Sequence, residues 1–208
     1  MQMLHPHCGS IQQYMEQLDD PERDRPSQCP QCQIQEPMRA HGFYSRTLVD
    51  AAFDGVIRVR RYLCQWCRRT VSLLPEWALP YMRFSITVIA RTLIARLIEK
   101  LAWKSAAEGP APYQRGQHWV RRFAKQAEPL SAALTARTTV VSATSFVLRT
   151  MGMLEKTGWI AAHRFVFLDL RMHLLGWPPS LAPHGRRVTL DAASGAASLK
   201  PHTSCMDP

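Results

Sequence analysis

Cys29-Pro30-Gln31-Cys32 and Cys64-Gln65-Trp66-Cys67 decide how this chain is read. Two residues between cysteines let both sulfurs of a knuckle turn toward one point. Two such knuckles supply four thiolates in a tetrahedron, the donor set of a closed structural Zn²⁺ site. The 31 residues between them (33 to 63) leave room for a β-hairpin. Four protein ligands leave no open position for a substrate, so the expected zinc, one per chain, holds a fold together rather than doing chemistry. A redox C-x-x-C would be expected once, at a helix start within a βαβ unit, and neither context is present. His41 reads as a strand residue packing on this module. Trp66 reads as a cover for the metal site in preference to a base-stacking residue. Cys8 and Cys205 have no partner motif and read as free thiols.

Working outward, His41-Gly42-Phe43-Tyr44-Ser45-Arg46 and Thr47-Leu48-Val49 look extended. Asp54-Gly55 is a hairpin-turn signal. Val56-Ile57-Arg58-Val59-Arg60-Arg61-Tyr62-Leu63 is rich in β-branched residues. Its alternation puts Val56, Arg58 and Arg60 on one face and Ile57, Val59 and Arg61 on the other. Residues 27–75 therefore read as a zinc ribbon of knuckle, hairpin, knuckle. Residues 1–26 read as an N-terminal helix and linker, with Ser10 and Gln13 forming a capping box.

After the prolines of the 73–80 connector, Ser85 can cap a helix running from Ile86 to about Trp103 on a 3.6-residue apolar period. A short segment near Ser105–Glu108 and the turn Gly109-Pro110-Ala111-Pro112 follow. A basic helix from Tyr113 to about Ala127 comes next, with Trp119, Val120 and Phe123 inward and Pro129 ending it. Helix, short helix, turn and basic helix make a helix-turn-helix over 76–130. Residues 131–157 read as one more helix, which Thr138 to Thr144 tend to break. Residues 158–208 read as an irregular tail. The whole predicts an α+β fold, a small β module followed by a mainly helical region.

Net charge is +10 over 208 residues, and its distribution is uneven. Between Arg39 and Lys125 sixteen Lys and Arg face five Asp and Glu, whereas ten basic and eleven acidic residues make up the rest. Four thiolates around a dication lower the folded module by about two charges. A positive field confined to one segment is the footprint of a polyanion binder. The expected DNA contacts are Arg46, Arg58, Arg60, Arg61, Arg68 and Arg69 on the ribbon, whose guanidinium forks match phosphate oxygens. On the basic helix they are Gln114, Arg115, Gln117, His118, Arg121, Arg122 and Lys125, types that read base edges or phosphates. Gln114, Gln117 and Arg121 share a helical face.

No catalytic residue is expected. Acidic-triad phosphoryl transfer needs three carboxylates on an α/β core, and beyond residue 130 the candidates are Glu155, Asp169 and Asp191, in a stretch with no strand–helix alternation. No nucleotide-binding or Ser-His-Asp pattern is present. No stretch approaches the ~18 apolar residues of a membrane span, and residues 1–13 lack the pattern of a secretory signal. The expected location is the cytoplasm, with the nucleoid.

These residues resemble a family of small bacterial proteins associated with insertion sequences, with a four-cysteine zinc ribbon and a transposase-type helix-turn-helix, usually described only as a domain of unknown function. The resemblance covers about residues 18–127. It rests on Pro26-x-x-Cys29-Pro30-x-Cys32 and His41-Gly42-x-Tyr44-x-Arg46. It continues through Ile57-Arg58-Val59-Arg60-Arg61-Tyr62-x-Cys64-x-x-Cys67-x-x-Thr70, Leu74-Pro75 with Pro80, and Trp119-Val120-Arg121-Arg122-Phe123. The chain departs at 109–112, proline-rich where such motifs carry a small residue, glycine and a Ser or Thr cap. The resemblance implies a transposon-associated accessory or regulatory factor that binds duplex DNA without catalysis, alongside a separately encoded transposase. A protein-interaction adaptor and a transposase remnant lacking its catalytic core are the alternatives. A homo-oligomer stays open.

Overall fold

The computed structural model describes residues 1–7, 9–20, 22–106 and 112–176. Cys8, Cys205, Asp191, the Gly109-Pro110-Ala111 part of the expected turn and residues 177–208 of the tail expected over 158–208 lie outside them.

The elements in order are β1 (Gln2–His5), α1 (Ile11–Gln17), β2 (Arg39–Asp50), β3 (Phe53–Leu63), β4 (Thr70–Pro75), α2 (Ile86–Leu97), α3 (Trp103–Ala106), α4 (Tyr113–Leu134), α5 (Phe146–Thr157) and α6 (Trp159–Leu168). The fold is mixed α and β, with a four-stranded sheet ordered β1-β4-β3-β2. β1 was not expected in the 1–26 segment. It pairs parallel with β4, Leu4 opposite Leu74, so its partner lies some seventy residues away. α1 begins at the expected capping box, with Ser10 accepting from the Gln13 N–H.

β2 and β3 form the expected hairpin, but its turn is Ala51-Ala52, with Asp50 opposite Phe53. Asp54-Gly55 falls inside β3 instead, facing Val49 and Leu48. Burial decides the register: it places Leu48, Val49, Ile57 and Val59 inside, and a one-residue slip would turn every side chain to the other face. Asp54 is used to pair Arg83 at 2.8 Å. The His41-Gly42 pair is a bulge, where the register shifts between Ala40 and Phe43. Gly42 sits at φ 71 with nothing within 4 Å of a built Cβ, the left-handed backbone such a bulge asks for. His41 itself is exposed.

Ser85 caps α2 through the Val88 N–H, and Ile86, Ile89 and Leu93 are buried. The helix stops at Leu97, short of the expected Trp103. Lys100 takes φ 55, the chain folds back with Leu101 N–H donating to the Ala95 carbonyl, and Ile98 and Leu101 are left exposed. α4 does the reverse and runs through Pro129. That proline lies on the exposed face, so its cost is chiefly a forgone bond, while buried Leu130, Ser131, Ala133 and Leu134 hold the last turns. The helix expected over 131–157 is therefore divided: α4 takes its start, residues 135–145 are a connection, and Ser145 caps α5.

Residues 158–176 are not an irregular tail. Gly158, at φ 82, joins α5 to α6. Beyond α6 the chain docks by His173 Nε2 on the Pro80 carbonyl at 3.1 Å, and by Arg122 donating to the Leu175 and Gly176 carbonyls. Arg164 of α6 pairs Glu76 of the connector at 2.8 Å. No helix among the described residues is long and apolar enough to cross a membrane.

Candidate metal centre and its basic surroundings

The first knuckle precedes β2, and the second is the turn between β3 and β4. Both fold by one local scheme. In the first, Cys29 N–H donates to the Ile34 carbonyl at 3.1 Å, and Gln33 N–H to the Cys29 carbonyl at 2.9 Å. In the second, Cys64 N–H donates to the Arg69 carbonyl at 3.0 Å, and Arg68 N–H to the Cys64 carbonyl at 3.1 Å. The fifth residue of each takes a left-handed backbone, Gln33 at φ 63 and Arg68 at φ 56.

The hairpin brings the two together. All four sulfurs lie within 4.8 Å of one another, with Cys29 Sγ 3.8 Å from Cys67 Sγ and Cys32 Sγ 3.7 Å from Cys64 Sγ. These separations are far from a disulfide bond of about 2 Å. They match a tetrahedron of ~2.3 Å metal–sulfur bonds, whose edges are about 3.8 Å. The four cysteines are thus placed to bind a metal ion. Backbone N–H groups of Cys67 and Trp66 aimed at Cys64 bring its thiol down to about 7. The Arg69 N–H favours the Cys67 thiolate, yet burial and the three neighbouring thiols push it up to about 11. Four crowded acids oppose one another's ionisation, and a dication relieves that repulsion. Met38, Tyr62, Val71 and Leu73 pack around the buried Cys29 and Cys64.

The expected DNA contacts divide. Arg46 is half-buried and donates to the Leu79 and Met82 carbonyls, fastening the connector to β2. Desolvation lowers its pKa. Arg60 is only 8% exposed. Its Nε and Nη2 donate to the Leu18 carbonyl at the end of α1, and it lies over the Phe43 ring at 4.2 Å. Arg122 is turned to the 175–176 backbone. These three arginines, one buried and two half-buried, are engaged with backbone carbonyls and leave the expected contact set. Their sequence neighbours gave no sign of it, because the carbonyls they serve come from distant segments.

The others stay outside. Arg58 is exposed, its guanidinium 4.0 Å from the centre of the Phe43 ring and 3.7 Å from Asp19. Arg61 is half-buried against Thr70. Arg68 and Arg69 are exposed and have no ion-pair partner among the described residues. On α4, Gln114, Arg115, His118, Arg121 and Lys125 are exposed, while Trp119 and Phe123 are fully buried on the opposite side. Gln117 is half-buried, bonding the Tyr113 hydroxyl at 2.7 Å and Arg121 at 3.4 Å. Burial and the positive charges of Arg122, Arg115 and Arg121 lower the His118 pKa. Gly116 lets α4 approach α2: a Cβ there would sit 3.2 Å from Thr92 Cγ2. Trp66 corrects the sequence reading. It is 64% exposed and covers no metal site, its indole N–H held by Glu36 at 2.9 Å.

A four-cysteine cluster closing a β-hairpin, followed by packed helices, defines this chain. Residues 29–107, from the first knuckle past α3, match a family model described as a domain of unknown function, DUF6431. No curated protein and no solved structure matches the chain.

Proposed function

We propose that the cysteine cluster holds a structural Zn²⁺ as a zinc ribbon, and that the chain binds duplex DNA through a helix-turn-helix without catalysing a reaction. The observation that carries this is the outer face of α4. Arg115, His118, Arg121 and Lys125 recur every three or four residues along it, with Gln114 four before His118, and all five are exposed. Its first acidic residue is Glu128. Trp119 and Phe123 fasten the opposite face, so the stripe is presented rigidly. A helix of this diameter fits the major groove, and such side chains serve base edges and phosphates there. Arg58, Arg68 and Arg69 supply further phosphate contacts. The resemblance to insertion-sequence proteins makes this an accessory or regulatory factor acting beside a separate transposase, at the nucleoid.

The test is titration of zinc-loaded protein with duplex DNA at several salt concentrations. Affinity is expected to fall steeply, by a slope of ~0.9 per phosphate contact. Arg121→Ala and Lys125→Ala are each expected to flatten that slope by about one contact. Binding insensitive to salt, or none at all, overturns the proposal. The adaptor reading has one observation in its favour, the exposure of Ile98 (47%) and Leu101 (41%) where the chain leaves α2. It predicts that Leu101→Asp removes a protein partner while the DNA titration is unchanged.

A further inference from the structure

The two knuckles are a comparison built into the molecule. They share a hydrogen-bond scheme and a left-handed fifth residue, yet their surfaces differ. Where the first carries Gln31, the second carries Trp66; where the first carries Gln33 and Ile34, the second carries Arg68 and Arg69. Gln31 is exposed and its knuckle folds the same way, so the knuckle fold does not require an indole at that position. Packing does not either, since Trp66 is 64% exposed. Its neighbour Gln33 in the first knuckle is tied down, with the Gln28 amide donating to its carbonyl and side-chain oxygens at 3.0 and 3.1 Å. Arg68 has no such side-chain tether among the described residues, and it holds φ 56, a left-handed backbone that residues other than Gly rarely adopt.

The indole is also oriented. Its N–H donates to Glu36 Oε2 at 2.9 Å, which leaves the ring faces, rather than the polar edge, for a partner. An exposed aromatic ring followed two and three residues on by exposed arginines, neither with an ion-pair partner among the described residues, is the residue set that holds single-stranded nucleic acid, the base stacking on the ring and the backbone phosphate meeting the cations. An acidic protein groove would satisfy the arginines but would not call for a ring with its edge already bonded. We infer that Trp66, with Arg68 and Arg69, is a stacking site for an unpaired base, so that the protein favours DNA carrying a single-stranded nucleotide over fully paired DNA. This rests on the nucleic-acid reading above and adds to it a preference for a frayed end or junction.

The experiment uses the zinc-loaded full chain and two labelled probes, a blunt duplex and the same duplex with a short thymidine overhang. The wild type is expected to bind the overhang probe at least about 5-fold more tightly, the lower bound for one stacked base. Trp66→Ala is expected to erase that difference and leave blunt-duplex affinity within about 2-fold, whereas Trp66→Phe keeps most of it. Trp66→Gln, which restores the first knuckle's residue, is the second variant should the alanine protein fail to bind its metal. Equal affinity for the two probes overturns the inference while leaving duplex binding intact. So does a Trp66→Ala protein weakened equally on both, or one that loses only a protein partner. Failure of the wild type to bind either probe removes this inference and the duplex reading together.

Discussion

Two arginines separate interior from surface. Arg60 donates twice to the Leu18 carbonyl and stacks on Phe43 from a nearly buried position. Arg121 stands on the open face of α4. Arg60→Ala strands that carbonyl and removes a packed stem, so it is expected to lower stability by about 2–3 kcal/mol. Arg121→Ala is expected to stay within about 0.5 kcal/mol of the wild type in stability while losing DNA affinity. Denaturant unfolding and DNA titration on both variants check the pair; weakened binding by Arg60→Ala at full stability would reverse the assignment. In the sequence the two residues look alike, since each is a basic residue in a basic run. What separates them is Leu18, 42 residues upstream of Arg60. The cysteines posed no such difficulty, because two-residue spacing fixes knuckle geometry locally.

Among the elements, the β2–β3 hairpin is held by unlike means at its two ends. At the knuckles it depends on the sulfur cluster. At the Ala51-Ala52 end it is fastened by apolar burial and by Val49, which accepts from Ser85 N–H at 2.9 Å and donates to the Arg83 carbonyl at 2.8 Å. On the proposed zinc reading, metal binding would be folding energy for the knuckles, and a strong chelator is expected to strip protection from the Cys29, Gln33, Cys64 and Arg68 amides. The Val49 and Ser85 amides and those of α2 and α4 are expected to keep theirs. Hydrogen exchange with and without chelator reads this directly, and uniform loss across both groups would count against it. The elements also show where pattern reading stops. The strand alternation of 56–63 and the Ser85 cap were legible because they are local. The turn at Ala51-Ala52 was hidden by the stronger Asp54-Gly55 signal, which burial of Leu48 and Ile57 outweighs. β1 was hidden because a four-residue parallel strand is defined only by its partner. Pro129 ended the predicted helix too early because its exposed placement was not visible.

For the whole molecule, acid is the informative stress. His163 is fully buried against Phe167 and His173, and burial lowers its pKa to about 3. Burial lowers His173 to about 4, against the bond to the Pro80 carbonyl that raises it. Both bind protons in the unfolded chain below about pH 6.5 but not in the folded one until far lower, so the unfolded state is the more protonated between those limits. Stability is therefore present above pH 6.5 and is lost as pH falls, at about 1.4 kcal/mol per pH unit for each histidine. Release in acid of the proposed metal would act in the same direction, so the diagnostic measurement is a difference. His163→Leu is expected to halve the histidine share of the fall in melting temperature between pH 6.5 and 4.5, and an unchanged slope would show that His163 titrates normally. These histidines lie in the segment read as irregular from sequence, where no periodic pattern marked α6 as a buried helix.

The unlike fastenings of the hairpin mean that its two ends answer to different quantities. The Ala51-Ala52 end answers to temperature and solvent, as any apolar core does. With a metal in the cluster, as proposed, the knuckle end would answer to mass action: each tenfold change in free metal would shift its stability by about 1.4 kcal/mol once the site is well occupied. A cell short of the metal would keep most of this protein folded, with the α4 stripe still in place. It would lose the ordered surface of Trp66, Arg68 and Arg69 first, so nutrient supply would decide how much of the molecule is fit for contact.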